Sequence, residues 1–449
     1  MSSSRFLKRR ALSGTALLFA VFCCVSGGPF GLEPAVSEAG AGVALLLIVA
    51  LPFLWALPDA LTSCELAPAI PVEGGYVVWV RRALGPFAGF LNAWWTWIYT
   101  LVDAAIYPVL FATYLREVCS RYFGTAALDG EGVRWLVALA AIVTFTYLNF
   151  RGTKIVGRTS IILALLILVP FAAFVVAGLA AWKSGAPLAL SLPQSSGGWS
   201  SSLAAGLGIV MWNYLGWDAL STVAGEVDQP QRAYPRALLG GLVIVTLAYL
   251  LPTLVGLRFM PNESVWVEGA WPAIAEAVGG PWIAGLMHVA ALVSPIALFT
   301  ASLLASSRVP MVLAEERFLP KQFGAVHPKF GTPLFSLTFS AVVFAVLASK
   351  TFQDLVVLNV LMYSAALVLE TLALIVLRVK EPDLPRPFKI PGGWPVLCLL
   401  LLLPVGMAGT LAVLSIKEEG WSAQWLTIAA LASGPVVYAS IVATRRSLT

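Results

Sequence analysis

Charged residues are scarce in this sequence of 449 residues, and the scarcity excludes most classes of soluble protein. Asp, Glu, Lys and Arg make up 11% of the chain, whereas 59% is hydrophobic. Soluble domains carry about 25% charged residues, so a water-soluble enzyme of two or three domains is excluded, as is a disordered chain. At about 20 residues per membrane helix, the hydrophobic content suffices for a dozen crossings of a lipid bilayer.

Histidine is equally scarce, and the cysteines are dispersed. His288 and His327 have no partner at metal-ligand spacing, so neither a metal nor another cofactor is predicted. The five cysteines mostly lie inside apolar runs, which is typical of core residues and not of a disulfide framework. No basic stretch with interleaved aromatic residues indicates a nucleic-acid partner. An enzyme would need a nucleophile and base, or a metal set, near one interface, and the sequence has neither.

Long apolar runs bounded by charges, glycines and prolines predict an all-α polytopic membrane protein with twelve transmembrane helices. The predicted spans are 12–36, 43–69, 84–115, 133–149, 154–182, 201–226, 236–257, 281–307, 333–349, 354–378, 394–414 and 424–443. No connection is long enough for a separate domain. The longest external one, Phe259 to Pro281, is predicted to be an interfacial helix or lid, with Trp266, Trp271 and Trp282 as membrane-interface anchors.

The basic residues predict the orientation in the membrane. With twelve spans, the 28 Lys and Arg residues divide into 21 on the side of the two termini and 7 on the opposite side. Because cytoplasmic loops are enriched in Lys and Arg, both termini are predicted to be cytoplasmic, in a plasma (inner) membrane. A missed or invented helix would exchange the loops beyond it and abolish this bias.

Two predicted helices contain stretches that interrupt helical hydrogen bonding. In the first helix the stretch comprises Ser26, Gly27, Gly28, Pro29, Phe30 and Gly31. In the sixth, about 190 residues downstream, Gly206, Gly208 and Gly216 flank the sequence MWNYLGWD. A break in hydrocarbon is tolerated where freed backbone groups line a cavity or meet a ligand. The alternative is that these glycines and the proline only allow close helix packing.

The spacing of the two breaks predicts an internal repeat. Two five-helix repeats, 12–182 and 201–378, would be inverted relative to one another because five is an odd number of crossings. The two helices in 394–443 would be appended to them. Inverted repeats with one interrupted helix each are typical of secondary transporters.

Several carboxyl groups lie inside predicted helices, where an ionised acid costs about 2.5–3.5 kcal/mol. Asp103 lies in the middle of helix three, Asp218 at the break in helix six and Glu370 deep in helix ten. Asp59 and Glu65 lie nearer the cytoplasmic end of helix two. Since no Lys or Arg lies centrally in a predicted helix, the cavity is predicted to suit a cationic substrate, a coupling proton, or both. For Asp103 the alternative is a neutral acid hydrogen-bonded to a neighbouring helix.

Aromatic residues surround the same level of the predicted membrane. They are Phe30, Tyr99, Tyr107, Trp212, Tyr214 and Trp217. Such rings gate cavities, or hold an alkylammonium by cation–π attraction worth up to about 2 kcal/mol when dry. Packing is the alternative for each ring.

Three segments resemble the amino acid–polyamine–organocation permeases. They are GEVDQPQRAYPRAL from Gly225 to Leu238, SSRVPMVLAEERFLPKQFGAVHPKFGTP from Ser306 to Pro333, and RPFKIPGG from Arg386 to Gly393. They are similar to that family's loops after helices six and eight and to its approach to helix eleven. The resemblance covers helices one to twelve and implies the leucine-transporter fold, with five plus five inverted helices and two appended ones.

Four more segments look most like the plant-type polyamine permeases: VSGGPFG, PVEGGYVVWV, DAAIYPVLF and WDALSTVAGEV. The resemblance implies that the substrate-binding unwound stretch of helix one contains Ser26, Gly27, Gly28 and Phe30. It places Trp212 at the aromatic gate of helix six, and Tyr214, Gly216, Trp217 and Asp218 in that helix's unwound stretch. Two departures stand out. Helix eight, SPIALFTASL from Ser294 to Leu303, lacks the acidic residues of plant members, and helix five lacks the lysine that replaces sodium in some relatives.

Together these features predict a single transport domain over 1–449. It would be a secondary active transporter that moves amino acids or polyamines by alternating access, coupled to a proton or another cation. The predicted substrate-binding residues are Ser26, Gly27, Gly28, Phe30, Asp103, Tyr107, Trp212, Tyr214, Gly216, Trp217, Asp218 and Glu370.

The predicted roles within that set differ. Asp103, Asp218 and Glu370 are candidates for amine or proton binding, backbone around Gly27, Gly28 and Gly216 for a substrate carboxylate, and Trp212 for outer closure. A neutral amino acid permease or exchanger is an alternative, as is an amino acid sensor with the same pocket that binds without transporting. An ion channel would instead need a continuous polar pore.

Overall fold

The computed structural model describes residues 13–72, 74–150, 156–182, 198–328, 332–421 and 424–447. These ranges consist of helices and connections, with no strand. The α-helices are α1 (Gly14–Val25), α2 (Glu33–Ala39), α3 (Ala41–Leu51), α4 (Leu57–Ala69), α5 (Gly75–Leu84), α6 (Pro86–Phe123), α7 (Glu131–Phe150), α8 (Val156–Ala181), α9 (Gly198–Trp212), α10 (Pro230–Phe259), α11 (Trp271–Glu315), α12 (Leu334–Leu347), α13 (Phe352–Lys380), α14 (Gly393–Glu419) and α15 (Trp425–Ser447). A π-helical turn, Pro52–Ala56, joins α3 to α4, and 3₁₀ turns lie at Ala219–Glu226, Glu263–Val265 and Lys321–Gly324. Of the basic residues used to predict the orientation, those at positions 5–10, 151–154, 183 and 329 lie outside the described residues.

The helices have the length and composition of a multi-pass membrane protein. Nine helices in the described ranges are long and apolar enough to cross a bilayer, and three shorter apolar helices are Gly14–Val25, Trp199–Trp212 and Leu334–Leu347. Each predicted span overlaps a helix of this set. Burial separates centre from periphery, since 78% of the most apolar stretch of α6 is buried compared with 11% of that of α15. α6 packs against both α11 and α13, and these three long helices form the core.

The first helix is interrupted where the sequence places the break. α1 ends at Val25 because Ser26 takes an extended conformation, and Gly28 and Gly31 have φ of 83° and 82°. Residues other than glycine rarely adopt such left-handed angles. The helix resumes as α2 at Glu33.

The sixth helix is interrupted too, but fewer glycines take part than predicted. α9 runs to Trp212, and the 3₁₀ turn after the break starts at Ala219. Between them Gly216 has a φ of 92°. Gly206 and Gly208 were wrongly assigned to the interruption, since both lie within α9. A Cβ on Gly206 would lie 2.6 Å from the Cβ of Ala39, so this glycine allows α9 to pack closely on α2.

Two short helical segments about 195 residues apart end in similar glycine–proline junctions. α5 ends at Gly85, which has a φ of 94°, and Pro86 then opens α6. The first part of α11, 271–278, ends at Gly279 and at Gly280, which has a φ of 72°, and Pro281 then opens the long part of that helix. Each pair combines a left-handed glycine, which ends a helix, with a proline, which is favoured in the first turn of the next.

The tryptophans of the external connection differ from the prediction. Trp266 and Trp271 are fully buried, whereas Trp282 is 77% exposed. The membrane-anchor prediction is therefore wrong for the first two residues. Their rings pack edge to face, 5.4 Å apart, and lie inside the helix bundle.

Candidate functional site

Asp103 of α6 is surrounded by hydrogen-bond donors from three helices. Its Oδ2 accepts from the Tyr107 hydroxyl at 2.7 Å and from the Ser302 hydroxyl of α11 at 3.3 Å. Its Oδ1 accepts from Nε1 of Trp212, the last residue of α9, at 3.1 Å. Tyr107 reaches Asp103 because residues four apart share one face of a helix. We call Asp103, Tyr107, Trp212 and Ser302 the Asp103 centre.

The donors of the Asp103 centre match an ionised carboxylate. Three groups point hydrogens at its two oxygens, and a carboxylate with that many donors is stabilised in its charged form. Among the described residues Asp103 forms no ion pair with a Lys or Arg. Part of its surface is accessible although Tyr107 and Trp212 are buried. The centre therefore offers a small cation a carboxyl group that has no cationic partner in the described structure.

Trp212 connects the Asp103 centre with the first break. A Cβ on Gly31 would lie 3.0 Å from Cζ3 of Trp212 and 3.4 Å from Cζ of Phe352, so the absence of a side chain at Gly31 makes room for these rings. The Trp212 and Phe352 rings themselves meet edge to face at 5.3 Å. Trp212 consequently covers the first break while its indole nitrogen binds Asp103.

The backbone of the first break is held by serine side chains. The Ser26 hydroxyl accepts a hydrogen bond from the Gly28 N–H at 3.1 Å. The Ser294 hydroxyl of α11 donates to the Gly27 carbonyl at 2.5 Å. A Cβ on Gly27 would lie 2.3 Å from that same hydroxyl oxygen, so α1 and α11 approach each other as closely as glycine permits. Two polar groups freed by the break are thus paired within the protein.

Glu33, which was not predicted as a site residue, stabilises the start of α2. Its Oε2 accepts from the Gly31 N–H at 2.6 Å, and its Oε1 accepts from the Tyr114 hydroxyl at 2.6 Å. An acid here also benefits from the positive end of the helix dipole. Phe30, between these groups, packs edge to face with Tyr114 and Phe171. Its ring therefore supports the break from the side of α6 and α8.

The external connection closes over the second half of the broken helix. The Glu263 carboxylate accepts from the Ala41 N–H at 2.6 Å, and the Ser37 hydroxyl donates to the Trp266 carbonyl at 2.9 Å. Trp271 Nε1 donates to the carbonyl of Pro29 within the break, at 2.7 Å. These contacts agree with the lid prediction for this segment, and they give Trp271 a role that an interface anchor would not have.

Glu268 belongs to the same connection. The Thr113 hydroxyl of α6 donates to its carboxylate at 2.7 Å. Burial raises the pKa of Glu268 above its ordinary value, and the Thr113 hydrogen bond only partly opposes that effect.

A second group of acids lies apart from Asp103. Asp59 of α4, Asp218 of the second break and Glu370 of α13 are each at most 2% exposed. The hydroxyl of Tyr363, also on α13, hydrogen-bonds Oδ2 of Asp59 and lies 2.9 Å from Oδ1 of Asp218. The Gly216 N–H donates to the same hydroxyl oxygen at 3.2 Å. We call Asp59, Asp218, Glu370 and Tyr363 the carboxyl cluster.

The carboxyl cluster is short of donors. Glu370 Oε1 accepts from Asn92 Nδ2 of α6 at 3.1 Å. In the described part of the chain, its Oε2, Oδ1 of Asn92 and Oδ1 of Asp59 are all buried without a hydrogen-bond partner. Burying a polar atom without a hydrogen-bond partner costs free energy. The carboxyl cluster therefore differs from the Asp103 centre, where both carboxyl oxygens accept hydrogen bonds.

The side chains of Tyr214 and Trp217 lie in the second break and donate hydrogen bonds to backbone carbonyls. The Tyr214 hydroxyl donates to the Ile48 carbonyl at 3.0 Å, and its ring packs edge to face on Tyr249. Trp217 Nε1 donates to the carbonyl of Tyr214 at 3.0 Å. Both side chains brace the non-helical backbone against α3 and α10.

The structure therefore divides the predicted site residues into groups. Asp103, Tyr107 and Trp212 lie together. The backbone of Ser26, Gly27 and Gly28 lies at the first break, as does Gly31. Asp218 and Glu370 belong to the carboxyl cluster. Asp59 was noted as an acid without a site role, and Ser302, Tyr363 and Asn92 were missed. Of these, only Ser302 lies in a segment that the sequence marks as unusual, SPIALFTASL, which lacks the acids of plant members.

Glu65 of α4, which is also buried, is neutralised by cations. Arg378 donates to Glu65 from Nε at 2.9 Å and from Nη2 at 2.5 Å, and Nε of Arg386 lies 3.1 Å from the same carboxylate. The Ile390 N–H adds a further donor at 2.9 Å. Arg386 also donates to the Leu377 carbonyl near the end of α13, so this arginine organises the RPFKIPGG segment.

Comparisons with known proteins agree with this architecture. A family model described as amino acid permease matches residues 16–433. A probable polyamine transporter of Arabidopsis thaliana is 37% identical over 418 residues, covering 91% of this chain and 80% of that protein. A polyamine transporter of Oryza sativa subsp. japonica is 35% identical over 407 residues, covering 90% and 74%. The branched-chain amino acid permease of Bacillus subtilis (strain 168) is 27% identical over 436 residues, covering 90% of each chain. As the loop segments predicted, the chain belongs to the amino acid permease family.

Proposed function

We propose that this protein is a secondary active transporter that moves amino acids or polyamines across the membrane by alternating access, with a proton or another cation as coupling ion. The relatives named as polyamine transporters and as a branched-chain amino acid permease support this class of substrate. The observation that carries the proposal is the Asp103 centre, where an ionised carboxylate beside aromatic rings meets the two helix breaks. A protonated amine satisfies such a site through charge and cation–π attraction.

The backbone donors favour a polyamine over an amino acid as substrate. A substrate carboxylate would need free N–H groups at the breaks. In the structure the Gly28 N–H is bonded to Ser26 and the Gly216 N–H to Tyr363. Two of the three glycines predicted to hold a carboxylate thus have their N–H groups occupied by side chains, whereas Asp103 has no cationic partner among the described residues. A substrate with amines and no carboxylate fits this distribution best.

Twelve crossings in a five-plus-five inverted repeat are the proposed topology. Helices at equivalent positions make equivalent contacts: α8 packs against α1 and α11, and α13 packs against α9 and α6. The matching glycine–proline junctions before α6 and within α11 lie at equivalent places in the two repeats. The excess of basic residues on one side supports cytoplasmic termini in a plasma (inner) membrane.

Alternating access would act on the contacts between the breaks. Trp212 covers Gly31 and binds Asp103, so movement of its indole would open the site toward the external connection. Ser294 on α11 holds the Gly27 carbonyl, so α1 would have to leave this hydroxyl for opening on the opposite side. Breaks at Gly28 and Gly216 would allow each half-helix to tilt on its own while one group of helices rocks against the other.

Uptake by the full-length chain in proteoliposomes tests the proposal. Labelled spermidine, arginine and leucine would be offered separately, with and without excess putrescine as an unlabelled diamine. We expect saturable spermidine uptake that the diamine inhibits and that an imposed pH gradient drives uphill. Uphill movement would also exclude a channel.

Other outcomes would replace the proposal. Leucine uptake that the diamine leaves unchanged would favour the neutral amino acid permease or exchanger. Ligand-dependent thermal stabilisation without flux of any of the three compounds would favour a sensor.

A further inference from the structure

The carboxyl cluster has too few hydrogens for the contacts that its atoms make. The Tyr363 hydroxyl oxygen accepts from the Gly216 N–H, which leaves it one hydrogen to donate. That oxygen is within hydrogen-bonding distance of both Asp59 Oδ2 and Asp218 Oδ1. One hydrogen serves one of these contacts, so the other needs a proton on a carboxyl group. The geometry itself therefore requires at least one acid in neutral form.

Glu370 and Asn92 point to another proton. The amide nitrogen of Asn92 donates to Oε1 of Glu370 at 3.1 Å, while the other oxygen of each side chain has no partner. A proton on Oε2 of Glu370 gives this acid a donor for Oδ1 of Asn92. Such a pair would satisfy both unpartnered oxygens together. Asn92 is fully buried, so water offers no alternative partner from bulk solvent.

We propose that the carboxyl cluster is the coupling-proton site of this transporter, separate from the substrate-binding Asp103 centre. Protons reside between Asp59 and Asp218 at the Tyr363 hydroxyl, and between Glu370 and Asn92. Release of a proton to water on the open side leaves a carboxylate, and uptake of a proton from the other side restores the acid. This proposal deepens the transport function and rests on it.

The position of the cluster explains how its charge would act on the transport cycle. Tyr363 is bonded to the Gly216 N–H, and Asp218 lies two residues further along the same break. Loss of a proton creates repulsion between acids carried by α4, the break and α13. The Tyr363 ring also packs edge to face on Tyr99 at 5.0 Å, and Tyr99 lies one helical turn before Asp103 on α6. A change at the cluster thus reaches both the break and the Asp103 centre.

Other titratable groups face the cluster from every side. They are Tyr76 of α5, Tyr99 of α6, Cys64 of α4 and Cys24 of α1. Phenols and thiols are neutral at physiological pH, so none supplies a compensating positive charge. No described Lys or Arg forms an ion pair with the three acids. No side-chain cation of the described residues therefore neutralises the three acids, and protons on the carboxyl groups would do so.

Two transport modes separate proton coupling from substrate binding. Asp59→Asn and Glu370→Gln, which keep the shape of the neutral acids, would be compared with the wild type in proteoliposomes that contain a pH-sensitive dye. Counterflow of labelled spermidine requires no net proton movement, and we expect it within about threefold of the wild type. Accumulation driven by a pH gradient should fall about tenfold or more, a typical coupling between sites, and substrate-induced proton flux should disappear. Asp354→Asn, an exposed acid of the same helix as Glu370, is the control that should change neither mode.

Each other outcome overturns the proposal or the function beneath it. Variants that keep full proton-driven accumulation would remove the cluster from coupling, and variants that lose counterflow as well would assign it to substrate binding. A wild-type protein without counterflow would refute the transport function instead.

A second measurement needs no transport, so it tests the proposal even where a variant folds poorly. The infrared carbonyl band of protonated carboxylic acids should be present in the detergent-solubilised wild type and weaker in Glu370→Gln, and an unchanged band would refute protonation of Glu370.

Discussion

The Asp103 centre and the carboxyl cluster bury acids in opposite ways. Asp103 receives three donors on two oxygens, so its negative charge is stabilised before any ligand arrives. The cluster places Asp59 and Asp218 beside one phenolic hydroxyl and nearby backbone N–H groups, and Glu370 beside one amide. Oδ1 of Asp59 and Oε2 of Glu370 are buried without a hydrogen-bond partner in the described structure. A surplus of donors favours an ionised acid and a shortage favours a protonated one. Counting donors therefore distinguishes a site for an organic cation from a site for a proton.

Glu65 provides the reference for a buried acid that cations already neutralise. Glu65→Gln would leave Arg378 and Arg386 buried without their counter-charge, at a cost of about 3–5 kcal/mol. We expect the largest loss of thermal stability in this set, measured as the unfolding midpoint in detergent. Glu381→Gln removes the exposed pair with Arg82 and should cost about 0.2–1 kcal/mol. Equal midpoints for the two variants would show that the Glu65 ion pairs contribute little to stability.

Asp103→Asn should have the next largest effect, on affinity instead of stability. The variant removes the charge that attracts an amine, and a charged hydrogen bond contributes about 1.5–3 kcal/mol, which is roughly 10- to 150-fold in dissociation constant. Spermidine binding by calorimetry in detergent would measure this loss. Ser302→Ala keeps the charge and deletes the longest of the three hydrogen bonds, so it should weaken binding by no more than about fivefold. Unchanged affinity in Asp103→Asn would contradict an amine site at this acid.

The sequence predicts the break in the first helix better than the contacts of the carboxyl cluster, and the reason is physical. The break in the first helix follows from Gly28, Pro29 and Gly31, whose backbone preferences are local. The prediction was wrong for Gly206, because the role of a glycine inside a helix depends on the residue that packs against it, here Ala39. Tyr363 contacts Asp218 although the two residues are 145 positions apart in sequence, so no local pattern predicts this contact.

The acids show the same limit. Glu65 and Arg378 are 313 residues apart, so no local pattern reveals which buried acid is paired with a cation. Sequence position separates Asp59 and Glu65, nearer the cytoplasmic end, from Asp103 and Glu370, which lie deeper, but it does not show the partners of any of these acids. Their donors and partners, which depend on the packing of α4, α6 and α13, separate them into three kinds.

Trp212→Phe sharpens the description of the Asp103 centre. Phenylalanine keeps a ring over Gly31 and beside Phe352 but removes the indole N–H that binds Asp103. A single hydrogen bond of about 1 kcal/mol corresponds to roughly a fivefold loss of spermidine affinity. Trp212→Leu removes the cation–π surface too and should weaken binding further. Equal losses in the two variants would mean that the aromatic face contributes nothing.

Tyr363→Phe and Tyr107→Phe test the contrast between the two regions with the smallest chemical change, one hydroxyl oxygen each. Tyr363 donates to the carboxyl cluster, and a donor favours the ionised form of its acceptor. Its removal should make the cluster hold its proton to higher pH. The midpoint of the pH dependence of spermidine accumulation should then rise by about 0.4–1 pH unit, the equivalent of one hydrogen bond. Spermidine affinity in Tyr363→Phe should stay within about twofold of the wild type.

Tyr107→Phe should weaken spermidine affinity a few-fold and leave the midpoint of the pH dependence in place, because its hydroxyl donates to Asp103. Since both substitutions preserve the ring and its packing, a midpoint shift of the same size in the two variants would mean that one network, and not two, binds substrate and proton.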